Sequence, residues 1–74
     1  MRLKPEACRA ARAILRWSTE DLARESKVAG TTINRLENGL PSRASTEAKL
    51  ISLFAQHGVE ILNGDAPGAR MQKA

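Results

Sequence analysis

Apolar residues recur at helical spacing through most of this chain and divide it into short amphipathic segments. In residues 5–16, Cys8, Ala11 and Leu15 fall on one face of a helix. Pro5 stands in the opening turn, where the N–H group that proline lacks would have no helical partner. The pattern therefore predicts a first helix over residues 5–16.

A second helix is predicted to begin after Ser18, whose hydroxyl suits an N-cap. Glu20 and Asp21 place negative charge in its first turn, where it opposes the positive end of the helix dipole. Asp21 also stands three residues after Ser18, as in an imperfect capping box. The helix is expected to end near Ser26, and residues 27–29 are expected to form a turn.

A third helix is predicted over residues 30–38, anchored to the core by Val28, Ile33 and Leu36. Gly39 suits the left-handed position that ends a helix. The positions expected to be exposed are Gly30, Thr31, Asn34 and Arg35. Core packing alone explains poorly why so short a helix has an open face of small polar groups and one arginine.

A fourth helix is predicted to begin at Ser45 or Thr46 and to end at Gly58. Its apolar stripe follows an i, i+3, i+4, i+7 spacing and consists of Leu50, Leu53, Phe54 and His57. His57 is expected to be a partly buried residue of this stripe rather than a ligand.

The C-terminal tail, residues 59–74, carries the pattern of a short hairpin. Residues 59–62 alternate like a strand, residues 63–65 (N-G-D) are a turn signal, and residues 69–71 are a candidate return strand. Since a lone two-stranded hairpin is marginal in water, this one must lean on the helices or pair with a second chain. The tail is therefore a candidate dimerisation element whose strand would pair across a two-fold axis.

Charge and composition narrow the function. The chain has 12 Lys and Arg against 8 Asp and Glu, a net charge of +4, which suits a polyanionic partner such as nucleic acid. Cys8, the single cysteine, excludes an intrachain disulfide and a thiolate zinc site. We expect it to be a small core residue in a protein of the reducing cytoplasm.

Other classes of protein receive no support from the sequence. No apolar run approaches the roughly 20 residues of a membrane span, so no membrane association is expected. With one His, one Cys and no glycine-rich phosphate motif, the chain offers no catalytic constellation. We therefore expect neither an enzyme nor a bound metal or cofactor.

Two segments resemble a known family. W-S-T-E-D-L-A is similar to the L-S-Q-E-E-L-A of Cro/C1-type (XRE-like) helix-turn-helix regulators, and V-A-G-T-T-I-N-R-L-E-N-G is similar to their V-S-x-x-x-I-S-R-I-E-N-G. The match covers residues 8–57, and the tail resembles a small bacterial subgroup that carries G-V-E-F-…-G-P-G-V-R-L. The resemblance implies a mostly α, lambda-repressor-like four-helix domain in residues 1–58. In residues 59–74, a short strand or hairpin would replace the usual fifth helix.

The resemblance also gives roles to residues of the second and third helices. Ser18 and Thr19 match positions that contact a phosphate at a helix N-terminus. Gly30, Thr31 and Arg35 match positions that face base edges. Arg35 is the main candidate for specificity, because a guanidinium can pair with O6 and N7 of guanine. For Thr31 and Arg35, an ordinary solvated side chain is the alternative.

Further candidate contacts follow the same resemblance. Asn34 is placed to reach a base or a phosphate, and Asn38, Ser42 and Arg43 match the region that clamps the DNA backbone. General basic surface is the favoured alternative for Arg43. Lys27 stands where the family usually has glycine. It is a candidate phosphate contact, and a positive φ at this position would cost a lysine about 1 kcal/mol.

Two inner positions complete the comparison. Arg12 and Glu37 match a family pair that forms a buried salt bridge between the first and third helices. Trp17, just before the second helix, is expected to fill the core rather than to stack on a base. The resemblance thus implies that the third helix is held in place from the first.

Two functions remain open at this point. The first is a sequence-specific double-stranded DNA-binding regulator of transcription, a repressor or autoregulator, acting as a homodimer with helix 30–38 in the major groove. Its two-fold symmetry predicts an inverted-repeat operator with half-sites about 34 Å apart. The second is an antitoxin-like or accessory module that binds a protein partner on the same scaffold.

Overall fold

Four helices and one antiparallel hairpin make up the part of the chain that the computed structural model describes, residues 2–62, 64 and 66–72. The helices are α1 (Pro5–Leu15), α2 (Thr19–Ser26), α3 (Gly30–Glu37) and α4 (Ala44–Gln56), and the strands are β1 (Val59–Leu62) and β2 (Gly68–Met71). The expected mostly helical domain with a short C-terminal hairpin is confirmed. None of the helices described is long and apolar enough to cross a membrane.

The start of α2 follows its local sequence. Ser18 Oγ accepts a hydrogen bond from the N–H of Asp21, and the Asp21 carboxylate accepts one from the N–H of Ser18, both at 3.0 Å. The predicted capping box is therefore complete. The Ser18 N–H bond and then the Arg24 side chain hold the pKa of Asp21 below its usual value.

Several helix ends use left-handed backbone conformations. Gly39 and Gly58 have φ of +83° and +80°, as expected of glycines that end helices. Arg16 and Lys27 adopt φ of +58° and +60°, where a side chain is strained against its own backbone. Lys27 thus has the positive φ that was expected to be costly for a lysine at this position.

The start of α4 departs from the prediction. The helix begins at Ala44, one or two residues before the expected Ser45 or Thr46, and Arg43 is an N-cap without a side-chain cap bond. The Ser42 hydroxyl donates to Glu47 Oε2 at 2.6 Å, a bond between side chains that satisfies no N–H group of the helix start. This bond joins the α3–α4 loop to the first turn of α4.

The core runs through every element and includes the hairpin. Its buried side chains are Leu3, Ala7, Cys8, Ala11, Leu22, Ile33, Leu36, Leu50, Phe54, Val59 and Ile61. Val59 and Ile61 alternate with half-buried Glu60 and Leu62 along β1. The hairpin packs on α1 and α4. The hairpin is therefore part of the core of this domain. Its packing on the helices supplies the support that an isolated two-stranded hairpin lacks in water.

Two aromatic positions differ in how well they match the prediction. Trp17 packs against the core, with its ring centroid 6.4 Å from that of Phe54. His57, expected to be partly buried, is exposed instead, and its ring meets Trp17 edge-on at 4.8 Å. The reason is that α4 ends at Gln56. His57 is consequently the C-cap and lies beyond the buried stripe.

The hairpin has a simple register. Val59 lies opposite Met71, Glu60 opposite Arg70, Ile61 opposite Ala69 and Leu62 opposite Gly68. Glu60 and Arg70 form an exposed ion pair at 2.7 Å. The return strand begins at Gly68, one residue earlier than expected. In the predicted turn, Gly64 is described, whereas Asn63 and Asp65 lie outside the described residues.

The strain at Lys27 predicts a stabilising substitution. Lys27→Gly should raise the free energy of unfolding by about 1 kcal/mol, because glycine adopts a positive φ without a Cβ clash. Arg24→Gly, in the last turn of α2, is the control and should lower it by about 1 kcal/mol. Urea unfolding followed by Trp17 fluorescence measures both. A loss of stability in Lys27→Gly would mean that the lysine is not strained.

Candidate nucleic-acid interface

One side of α3 is open along its whole length. Thr31, Asn34, Arg35 and Asn38 are all exposed and share one face at i, i+3, i+4 and i+7 spacing; we call them the α3 face. The opposite side buries Ile33, Leu36 and Glu37. Arg35 makes no hydrogen bond or ion pair within the described part of the chain, so its guanidinium is available to a ligand.

The N-terminus of α3 is open as well. Its N-cap, Ala29, supplies no side-chain bond, and its first turn contains no acidic residue. Gly30 is not required by packing, since a Cβ added there would meet nothing within 4 Å. A glycine in a helix costs stability relative to alanine, so its presence is not explained by the fold. It does let a ligand approach the backbone closely.

A polar depression adjoins the α3 face. It has a volume of about 670 Å³, and we call it the basic depression. Its lining residues are Thr32, Arg35, Pro41, Ser42, Arg43 and Thr46. It brings Arg35 and Arg43 together although the α3–α4 loop separates them in sequence. No acidic side chain lines it among the described residues, so its charge favours an anion.

The sequence missed two polar residues of this depression, Thr32 and Thr46. Each is half-buried in the first turn of a helix, α3 and α4 respectively. Their hydroxyls resemble those of many helix starts. Only the meeting of the two helix ends around the α3–α4 loop distinguishes them, and that meeting has no local sequence signal.

The side chains of Ser42 and Asn38 already make hydrogen bonds within the fold. The Ser42 hydroxyl donates its proton to Glu47, so toward a ligand this side chain can only accept. A phosphate needs donors, which makes Ser42 a poor side-chain ligand for the DNA backbone. Asn38 Nδ2 donates to the carbonyl of Asn34 at 2.7 Å and so helps to end α3. Its second N–H remains for a ligand.

The start of α2 and Lys27 lie apart from the basic depression. Ser18 uses its N–H and accepts at Oγ within the capping box, which leaves its hydroxyl proton to donate. Thr19, half-buried, begins the helix. Lys27 lines a separate groove between α2 and α4, together with Lys49. The structure therefore does not bring Lys27 together with Arg35 and Arg43.

A buried charge network holds α3 against α1. The Arg12 guanidinium donates two hydrogen bonds of 2.8 Å to the Glu37 carboxylate, which confirms the predicted pair. The Cys8 thiol donates to Glu37 Oε2 at 3.2 Å, and Arg9 donates to the main-chain carbonyl of Glu37. Arg12 also donates to the Trp17 carbonyl at 3.0 Å. Helix α1 thus fixes the C-terminal end of α3 at several points.

The pKa values of this network follow from its contacts. Burial alone would raise the pKa of Glu37, but hydrogen bonds from Arg12 and Cys8 outweigh it and hold the pKa below its usual range. Burial, followed by the Glu37 charge, raises the pKa of the Cys8 thiol. Glu37 is therefore the charged partner at neutral pH, and Cys8 is a neutral hydrogen-bond donor.

A second buried carboxylate holds the α3–α4 loop. Glu47 is 3 % exposed and accepts from the Leu3 N–H at 2.9 Å as well as from Ser42. Burial alone would raise its pKa, but the hydrogen bonds from Ser42 and Leu3 outweigh burial and hold the pKa below its usual value. This carboxylate ties the N-terminal segment to the loop that carries Arg43.

The Arg12–Glu37 pair predicts a pH-dependent loss of stability. Arg12→Ala should cost about 3 kcal/mol at pH 7, because it leaves a buried carboxylate unpaired. In the native protein the lowered pKa of Glu37 stabilises the fold above the unfolded value of about 4.3, and this contribution disappears as the pH falls through the folded value. Without Arg12 that contribution is absent, so the cost of the substitution should shrink on acidification.

Urea unfolding at pH 7 and at a series of pH values down to about 2.5, below the unfolded value, measures this dependence. Arg24→Ala is the control, since its exposed pair with Asp21 should contribute little to stability. Equal costs for the two variants at pH 7 would show that the buried pair does not hold α3. A cost for Arg12→Ala that does not change with pH would show that Glu37 is not the group concerned.

Comparison with known proteins assigns no family to this chain. It matches no protein-family model, and the search of curated proteins finds no match. Within the described residues, no group of His, Cys, Asp or Glu side chains is arranged to hold a metal ion.

Proposed function

We propose that this protein is a sequence-specific double-stranded DNA-binding regulator of transcription, with α2 and α3 as a helix-turn-helix. The observation that carries the proposal is the α3 face, a row of exposed hydrogen-bonding side chains that includes Arg35, which has no partner among the described residues. Such a row adds nothing to core packing. It has the form of a helix that reads base edges in the major groove.

The chemistry of the α3 face matches base edges. A guanidinium such as that of Arg35 pairs with O6 and N7 of guanine, and an amide such as that of Asn34 pairs with N6 and N7 of adenine. Thr31 offers a hydroxyl or packs its methyl group on that of thymine. Gly30 reads no base, but it lets the start of α3 approach the DNA closely. Specificity therefore rests chiefly on Arg35.

The neighbouring cations fit the DNA backbone. Arg43 lies in the basic depression next to Arg35, where one phosphate could contact both. The hydroxyl of Ser18 and the first N–H groups of α2, near Thr19, offer donors to a second phosphate. Lys27 would contact the DNA backbone from the protein groove between α2 and α4, away from Arg43. These contacts orient α3 and carry no sequence information of their own.

Regulation would follow from occupancy. We infer a homodimer that presents two α3 helices to an inverted repeat, with half-sites about 34 Å apart on one side of the duplex. A dimer bound over a promoter blocks the polymerase, which makes repression or autoregulation the simplest outcome. Control of DNA binding by protein concentration or by a protein partner requires no effector pocket, so a fold as small as this one can be regulated in either way.

Removal of the Arg35 side chain should relax sequence preference. Arg35→Ala should lose about 1–3 kcal/mol of discrimination at one base pair of each half-site, because the bidentate pairing disappears. Arg35→Lys should recover the charge without the pairing geometry. Lys49→Ala, an equal loss of charge on α4 outside the α3 face, should leave preference unchanged and lower affinity slightly.

The measurement is selection of random duplexes by each purified protein at ~150 mM salt, where non-specific phosphate binding is suppressed. The native protein should enrich an inverted repeat, and Arg35→Ala should lose one position of it. Enrichment of no motif by the native protein would contradict the proposal. It would direct attention to a protein partner on the same scaffold.

A further inference from the structure

The two edges of the hairpin differ in exposure. The Gln72 N–H donates to the Gly58 carbonyl at 2.7 Å, so Gly58 and Gln72 form a hydrogen-bonded pair at the end of the ladder. Because such pairs alternate in an antiparallel ladder, the N–H and C=O groups of Ala69 and Met71 point away from β1. They form the outer edge of β2. Within the described residues, no side chain or main-chain group bonds to them.

The outer edge of β2 is also the accessible one. On β1 the corresponding edge residues, Val59 and Ile61, are 1 % and 5 % exposed and lie in the core. On β2, Ala69 is half-buried and Met71 is 55 % exposed. The hairpin therefore presents one open edge, and that edge ends in an exposed apolar side chain.

The geometry points to a second copy of this chain as the partner of the β2 edge. We infer that β2 pairs with the partner's β2, antiparallel across a two-fold axis, with Ala69 opposite the partner's Ala69. In this register each Ala69 donates to and accepts from its counterpart. Each Met71 N–H donates to the carbonyl of the partner's Pro67, and the Met71 side chain is covered by the partner strand.

Charge selects this register over its neighbour. Shifting the pairing by one residue on each strand would place Arg70 directly opposite the partner's Arg70, and like charges directly opposite are destabilising. With Ala69 at the axis, Arg70 lies opposite the partner's Gly68, which has no side chain. Arg70 can then keep its ion pair with Glu60. On the core side of the sheet, the row from Ile61 through Ala69 continues into the same row of the partner.

The pairing closes with two copies. Pro67 has no N–H to extend the ladder past the loop, and the β1 edge is buried beneath the helices. A third chain would find no open edge, so the assembly is a dimer and not a fibre. The edge is short, and the dimer should therefore be weak, with a dissociation constant between ~10 µM and ~1 mM.

This inference rests on the proposed function only for the role of the dimer in DNA binding. A two-fold axis through Ala69 would supply the symmetric dimer that an inverted repeat requires. The pairing itself is independent of DNA. Dimerisation can therefore be tested without DNA, and DNA recognition can be tested on a single half-site.

Substitution of Ala69 separates edge pairing from folding. Ala69→Pro removes an N–H that points outward, so the ladder with β1 keeps its bonds. Ala69→Ser keeps that N–H and is the matched control. Deletion of residues 59–74 would not serve, because it would strip Val59 and Ile61 from the core. Met71→Lys, at an exposed side chain, is a second variant that places charge on the edge.

Sedimentation velocity over the range ~10 µM to ~1 mM measures the association. The native protein and Ala69→Ser should shift from monomer to dimer, and the dissociation constants of Ala69→Pro and Met71→Lys should rise at least about tenfold. Circular dichroism and Trp17 fluorescence verify that each variant is folded. A native protein that stays monomeric throughout, or an Ala69→Pro variant that dimerises like the native protein, overturns the inference.

Disulfide trapping reports the register. Opposed Cα atoms of a hydrogen-bonded pair lie about 5.5 Å apart, within the range that a disulfide spans. Ala69→Cys should cross-link readily under mild oxidation, and Arg70→Cys should cross-link poorly. The native protein is the control, since its Cys8 is fully buried. The reverse order of yields would place Arg70 at the axis and overturn the register.

Failures of the two proposals are distinguishable. Arg35→Ala should dimerise normally, and Ala69→Pro should still bind a single half-site with its sequence preference. A dimer that selects no DNA motif would remove the proposed function and leave the edge pairing standing. A monomer that selects a single half-site would do the opposite.

Discussion

The buried carboxylate of Glu37 is the constraint on which the arrangement of α3 depends. It is the last residue of α3, at the negative end of the helix dipole, where a second negative charge is unfavourable. Its charge is tolerated because Arg12 and Cys8 donate to the carboxylate and Arg9 donates to its carbonyl. All of these donors come from α1. The orientation of α3, and so of every side chain on its outer face, is therefore set from α1.

This dependence follows from the small size of α3. A helix of 8 residues is unstable by itself, and α3 contributes only Ile33 and Leu36 to the apolar core. The hydrogen bonds from α1 to Glu37 compensate for the limited apolar burial of α3. The side chains on the outer face of α3 are therefore not needed for packing. The two strained turns at Arg16 and Lys27 bring α1, α2 and α3 into contact within a short length of chain.

Local signals predicted most of the fold, and long-range contacts explain what they missed. The Ser18 capping box and the left-handed Gly39 act within a few residues, so the sequence shows them directly. The Arg12–Glu37 pair spans 25 residues and was reached only through family resemblance. The bond from Leu3 to Glu47 spans 44 residues and has no local pattern. The exposure of His57 likewise depends on where α4 ends.

The positions of the cations say more than the net charge. Arg12 and Arg70 are neutralised by Glu37 and Glu60, whereas Arg35 and Arg43 share a depression in which no described acid lies. Two positive charges without a described acidic partner thus lie beside the α3 face. Helix α1 contacts both α3 and the hairpin, so one rigid element lies between the proposed DNA-reading face and the proposed self-pairing edge. In a two-fold dimer, that element would fix the spacing of the two α3 helices, which an inverted repeat demands.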